Sequence, residues 1–261
     1  MLSRNLDKAK DAFQKRDPEA SRAAHDHRSS EDHRDGGGRY LKSSIYGGLD
    51  GIITTFAVVA GVAGASLSAG IVLILGFANL IADGLAMAFG EFLSGKAERE
   101  FHAAERERET WEFENHPEGE KRELVELYVA KGLAKEDAEK VVEVFAKKKE
   151  VIVDVMMVEE LGLFEDDGSP LGNAVATFLS FVTFGFVPLV SYVSTEWLEW
   201  EGDQFGVACG LTALTLFLLG ALKVRFTNRS WLSSGMEMML VGGVAAFAAF
   251  GIGHGLSGLA N

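Results

Sequence analysis

Asp83-Gly84-Leu85-Ala86-Met87-Ala88-Phe89-Gly90-Glu91-Phe92-Leu93-Ser94-Gly95-Lys96-Ala97-Glu98-Arg99-Glu100 is the stretch in which this chain changes solvent. Up to Leu93 it reads as bilayer material. From Lys96 onward charged residues crowd in, and the segment Glu98–Asn115 is helical in composition. That segment is expected to continue the preceding span into water as one helix. The charge of the whole chain is segregated in the same way. Nearly all of it falls within residues 1–42, 94–168 and 223–229. A soluble domain does not sort charge into blocks like this.

Five apolar runs are long enough to cross the hydrocarbon core: Ser43–Ser68, Ala69–Leu93, Leu171–Val193, Phe205–Leu222 and Trp231–Leu259. Pro188 is expected to kink the third, which a helix bundle tolerates. The expected fold is therefore an all-α membrane protein of five transmembrane helices, with a three-helix metal-binding insert between spans two and three. The expected division is a disordered tail over 1–39, spans one and two over 40–95, the insert over 96–165, and spans three to five over 169–261.

Lysine and arginine lie before Ser43, in the insert, and in the Lys223–Arg229 linker. None lies in the Ser66–Gly70 turn, in the Thr195–Gln204 loop, or after Arg229. The positive-inside rule then puts the N-terminus, insert and last linker in the cytosol and the C-terminus on the luminal side. The loop holding Glu196, Trp197, Glu199, Trp200, Glu201 and Asp203 is expected to be luminal or external, with its two tryptophans as interface anchors. The formal charge of −13 makes nucleic acid an unsuitable partner. The single cysteine, Cys209, excludes a disulfide framework within one chain and reads as a buried small hydrophobe. The tail carries no secretory signal pattern. Its His25, His27 and His33 could bind metal loosely, although nothing fixes their geometry.

Ionisable residues inside spans are costly and so mark function. Span one has Asp50, and span two has Asp83 and Glu91. Asn79, Asp83, Met87 and Glu91 recur every four residues and share a slowly drifting face, as the wall of a path would. Equal arc length about a turn near Leu67–Ser68 brings Asp50 and Met87 to one depth. Carboxylates alone suit magnesium or calcium, and an added thioether shifts preference towards ferrous iron. Plain packing is the competing account of Met87, and a structural hydrogen bond that of Asp50. Gly47 and Gly51 form a small-xxx-small pair, read either as a dimer seam or as close packing within one protomer. Glu237, among methionines in span five, and His254 near its far end are weaker candidates.

In the insert, Glu98, Glu105, Glu109 and Glu112 share one helical face. Glu120 and Glu123 follow the His116-Pro117 break at a three-residue spacing. A further helix over about Lys135–Leu161 ends in Met156-Met157-Val158-Glu159-Glu160, where both methionines can turn towards Glu160. Carboxylates converging on one point repel unless a cation sits there. A solvated acidic surface interleaved with Arg99, Arg106 and Arg108 is the plainer alternative. A di-iron oxidase would need Glu-x-x-His pairs, and neither His102 nor His116 has a glutamate three residues before it. No enzyme activity and no catalytic cofactor are expected.

The Tyr46–Gly51 segment with its aspartate, Met87-Ala88-Phe89-Gly90-Glu91, and Met156-Met157 followed by Glu159-Glu160-Leu161-Gly162-Leu163 together resemble the vacuolar iron transporter family, over roughly Tyr40 to Gly258. The resemblance implies a five-span homodimer moving ferrous iron, and often manganese, out of the cytosol in exchange for protons. It places the path along the dimer interface. It also implies that Asp50 and Met87 are translocation residues, and that Glu109, Glu112, Glu120, Glu123, Met156, Met157 and Glu160 form the cytosolic metal cluster. Zinc and cobalt are further candidate ions there. Where some members carry a span-two glutamate this chain has Asn79, with Asp83 one turn on as the candidate replacement, which leaves the proton-coupling residue open. The expected membrane is vacuolar, another acidic store, or the endoplasmic reticulum. A membrane-anchored metal-binding or sensing protein and an uncoupled cation channel are the rival readings.

Overall fold

The computed structural model describes residues 11–13, 15–26, 40–164, 168–198, 202–223 and 230–259. Two units emerge, residues 1–42 and 43–261. Within the first, α1 (Pro18–Asp26) starts beside Asp17, whose carboxylate accepts from the Glu19 and Ala20 amides. Most of the tail expected to be disordered lies outside the described residues, as do His27, His33 and the side chain of His25.

The described part of the second unit is helical. Five of its helices are long and apolar enough to span a bilayer, and the chain is a multi-pass membrane protein. α2 (Leu41–Gly64) runs unbroken through Gly47, Gly48 and Gly51. It ends where Ser66 takes a positive φ of 56° and the Leu67 amide bonds back to the Val62 carbonyl. α3 (Ala69–Asn115) has 47 residues, a rod of about 70 Å against a hydrocarbon core of about 30 Å. Span two and the first insert helix are thus one element, as the composition predicts. It stops at Pro117, which cannot continue the hydrogen-bond ladder and instead starts α4 (Pro117–Ala130).

One prediction fails in the insert. The helix expected over Lys135–Leu161 is two helices, α5 (Lys135–Phe145) and α6 (Lys149–Glu159), broken at Ala146–Lys148. No glycine or proline marks the break. Its cause is tertiary: Leu124, Val142, Ile152 and Met156 are buried together, with Phe145 and Ala146 packed on them. A straight rod could not bring Val142 and Met156 to the same centre. The insert therefore comprises the extension of α3 and three further helices.

Span three is α7 (Pro170–Gly185), a 3-10 turn over Val187–Leu189 containing Pro188, and α8 (Val190–Leu198). The expected kink is present. Leu189 at the kink is fully buried in a core shared with Phe56, Val59, Leu80 and Phe181. α9 (Gln204–Lys223) and α10 (Trp231–Leu256) complete the bundle. Phe205 bridges Phe56 and Phe250, with ring centroids 6.4 and 5.8 Å away. Outward residues such as Ile74, Val244 and Phe247 are exposed and apolar, as a surface in hydrocarbon requires. Most of the Thr195–Gln204 loop and of the last basic linker lies outside the described residues or is described in backbone only.

The glycine seam joins elements of one chain. A Cβ on Gly51 would lie 2.8 Å from the Phe181 Cα, and one on Gly47 would lie 2.9 Å from the Thr177 Cα. Thr177 and Phe181 are one turn apart on α7, so the pair Gly47 and Gly51 seats α7 against α2. Of the two readings left open by the sequence, packing within the protomer is the one observed.

Candidate metal centre and membrane path

The insert brings five glutamates together. One oxygen from each of Glu109, Glu112 and Glu120 lies within 4.8 Å of the other two, and the same holds for Glu120, Glu123 and Glu160. Glu120 belongs to both groups and links them. Each element supplies its residues by a simple device. Glu109 and Glu112 are three apart on α3, Glu120 and Glu123 three apart on α4, and Glu160 caps α6. Packing around Leu124 and Met156 closes the three elements on one another.

Two of these carboxylates are unusual in their burial, whereas Glu112 is half-buried and Glu123 and Glu160 are exposed. Glu109 is 1% exposed and Glu120 is 7% exposed. Neither oxygen of Glu109 makes a hydrogen bond of normal geometry. Desolvation raises the pKa of Glu109 to about 7, helped by the charge of Glu160. Glu120 is likewise raised to about 7, by desolvation and then by Glu123. Desolvation and then Glu123 also raise Glu160. An acidic surface in free contact with water would show none of this. Buried, under-satisfied carboxylates that repel one another suit a divalent cation, which would supply the missing charge and accept their lone pairs.

The methionines differ. Met156 is fully buried in the apolar cluster with Leu124, Val142 and Ile152, whereas Met157 is 5% exposed and lies outside that cluster. Glu98 joins neither acidic group among the described residues, and Glu105 serves Arg108 instead. His102 sits edge-on to Phe101, and His116 occupies the junction of α3 and α4.

Between the first two spans, three hydrogen bonds set the register of α2 on α3. Ser43 Oγ donates to Glu91 Oε1 at 2.9 Å, and the Asn79 amide donates to Thr54 and Thr55 Oγ1 at 3.5 and 3.4 Å. The Ser43–Glu91 and Thr55–Asn79 pairs are both centred on residue 67, the middle of the turn. At that register Asp50 is level with Gly84, next to Asp83, and Met87 is level with Gly47. The equal depth expected for Asp50 and Met87 is therefore displaced by three residues, about 4.5 Å. The reason is the pivot, since counting from Ser68 misplaces the turn and each residue of error shifts the register by two. Asp83 lies close enough for its charge to act on Asp50. Met87 is half-buried against the core, and Asp83 is exposed on its helix. Glu237 is exposed on α10, and the His254 carbonyl accepts from Ser257 Oγ.

Ser43, Thr54, Thr55 and Arg108 were not candidates from sequence. Hydroxyls in a span are common, and only the observed partners distinguish these. Arg108 could be read only as one of several basic residues among the glutamates.

Comparison with known proteins identifies the family. Residues 41–254 match the VIT family. A protein named vacuolar iron transporter from Toxoplasma gondii is 43% identical over 96% of this chain and 88% of its own length. One of the same name from Plasmodium falciparum is 37% identical over 97% of both chains. Vacuolar iron transporter 1 from Arabidopsis thaliana is 32% identical over 82% of this chain and 84% of its own. This chain belongs to the VIT family.

Proposed function

We propose that this protein carries ferrous iron, and also manganese, from the cytosol into a vacuole-like compartment in exchange for protons. The observation that carries the reading is the pair of carboxylate groups sharing Glu120, two members of which, Glu109 and Glu112, stand on the same continuous helix as Asp83, Met87 and Glu91. The names of its relatives, vacuolar iron transporter, support iron as the cargo. Glu109, Glu112, Glu120, Glu123 and Glu160 capture the ion on the cytosolic side, and Met157 biases the choice towards softer metals. The ion then passes Glu91 and Met87 to Asp50 and Asp83. Burial favours the neutral carboxyl and a bound cation favours the carboxylate, so proton and metal exclude one another at the same group. Asn79, held by two threonines, contributes polarity but no titrating group at its level. The functional unit in this reading is a homodimer, with the insert cytosolic and the C-terminus luminal.

The test is flux into sealed proteoliposomes loaded with a metal-sensitive dye, across iron, manganese, zinc and cobalt, with and without an imposed pH gradient. Coupled transport predicts metal uptake that accelerates with an acidic interior and is abolished by Asp50→Ala. Binding without uptake would point to an anchored sensor, and uptake indifferent to the gradient would point to a channel.

A further inference from the structure

The carboxylate cluster of the insert already contains a cation of its own. Arg108 Nη2 lies 2.7 Å from Glu105 Oε2 and 2.7 Å from Glu109 Oε1. Its Nη1 lies 2.8 Å from Glu112 Oε2, and its Nε donates to Glu105 Oε2 at 3.1 Å. Two of these three acceptors, Glu109 and Glu112, belong to the first acidic group, and Glu105 belongs to neither. Glu109 is 1% exposed and makes no hydrogen bond of normal geometry, so the Arg108 guanidinium is the positive group set beside its buried carboxylate. Arg108 itself is partly exposed, with 43% of its side chain open to solvent. The open side gives its guanidinium room to swing towards solvent.

We infer that Arg108 is a built-in stand-in for the metal: its guanidinium neutralises the Glu109–Glu112 side of the cluster and must be displaced, or pushed back onto Glu105, when a divalent ion binds. Like charges a few ångströms apart repel, so Arg108 raises the metal concentration at which the site is half filled. Glu105 is the resting place that makes displacement reversible. Every divalent ion must outcompete the guanidinium, so Arg108 lowers the affinity for all of them by a common factor. This inference rests on the reading of the insert as the metal-capture site.

The experiment is calorimetry of the full-length protein in detergent with zinc and, separately, manganese. Arg108→Gln should tighten binding by about tenfold, since a charge competing for two ligands has gone. Arg108→Lys keeps the charge and should stay within a few-fold of the parent protein. Glu105→Gln removes the alternative partner, leaves Arg108 pressed on Glu109 and Glu112, and should weaken binding. This variant keeps the inference testable even if Arg108→Gln folds poorly. Unchanged or weaker binding in Arg108→Gln, with the parent protein still binding metal, overturns the stand-in role alone. No binding by the parent protein overturns the capture site and the stand-in together.

Discussion

Ser43 near the start of α2 donates a 2.9 Å hydrogen bond to Glu91 on α3, and its own carbonyl accepts from Thr177 of α7 at 3.4 Å. Three spans thus meet at one buried serine, at the end of the path nearest the insert. Glu91 is fixed there without a basic partner among the described hydrogen bonds, so it remains available to a passing cation. Ser43→Ala removes the donor and leaves the carboxylate unanchored. A hydrogen bond to a charged acceptor contributes about 1.5–3 kcal/mol. The melting temperature in detergent should fall by several degrees, and metal flux should fall while binding to the insert stays unchanged. Glu91→Gln should lower flux further and spare stability. Equal effects of both variants on flux and stability would show that Ser43 is only a packing residue.

Gly51 is the point of closest approach between α2 and α7. A Cβ there would meet the Phe181 Cα at 2.8 Å, and backbone cannot move aside as a side-chain tip can. Overpacking of this kind costs about 1–3 kcal/mol or more. Gly51→Ala should therefore reduce the yield of monodisperse protein and lower its melting temperature. Gly90→Ala, at a position with nothing within 4 Å, should do neither. Because Asp50 is the neighbour of Gly51, flux should suffer even in the fraction that folds.

These two sites also mark what can be read without coordinates. Apolar length and blocks of charge decide spans and insert locally, so all five spans and the continuity of α3 follow from the sequence. Glutamates three apart on one helix are equally local. The partner of Gly51 is not, since Phe181 lies 130 positions away and any small residue could have faced the seam. Nor is the register of α2 on α3, which depends on where the turn pivots. The break at Ala146–Lys148 has no signal of its own and follows only from Val142 and Met156 sharing a core. For the same reason Glu160 could be aligned with the methionines of its own helix, while its meeting with Glu120 and Glu123 required the fold.

The raised carboxyls of the insert make its stability and its metal binding respond to pH with opposite sign. Glu109 and Glu120 titrate near 7 in the fold against 4.5 for an ordinary glutamate. Between those values the folded chain holds more protons than the unfolded one. The metal-free insert should therefore gain stability as pH falls from about 8 towards 5, with the gain complete below the unfolded value. Metal binding needs the carboxylates, so affinity should fall over the same range, by about tenfold per pH unit below 7 for each proton displaced. Hydrogen-exchange protection of α4 to α6, corrected for intrinsic rates, checks the first trend, and zinc calorimetry checks the second. Protection that declines with acid, or affinity that does not, would contradict the buried setting of these two glutamates.

Met156 and Met157 are adjacent in sequence but differ in surroundings. Met156 is fully enclosed by Leu124, Val142 and Ile152, so its thioether is occupied by packing. Met157 is almost as buried but lies outside that cluster, one turn from Glu160, and its carbonyl accepts from the Leu163 amide at 2.8 Å. That bond fixes the end of α6 where Gly162 adopts a positive φ of 67°. Leucine conserves volume and removes sulfur, at a cost usually below about 1.5 kcal/mol. Met156→Leu should therefore shift insert stability slightly and leave metal preference alone. Met157→Leu should leave stability alone and weaken iron and zinc binding by several-fold relative to manganese, because the softer ions lose the sulfur. Competition calorimetry of the two variants against the same metals separates the roles. A change of preference in Met156→Leu and none in Met157→Leu would reverse the assignment, and it would mean that the core around Leu124 opens to admit the ion.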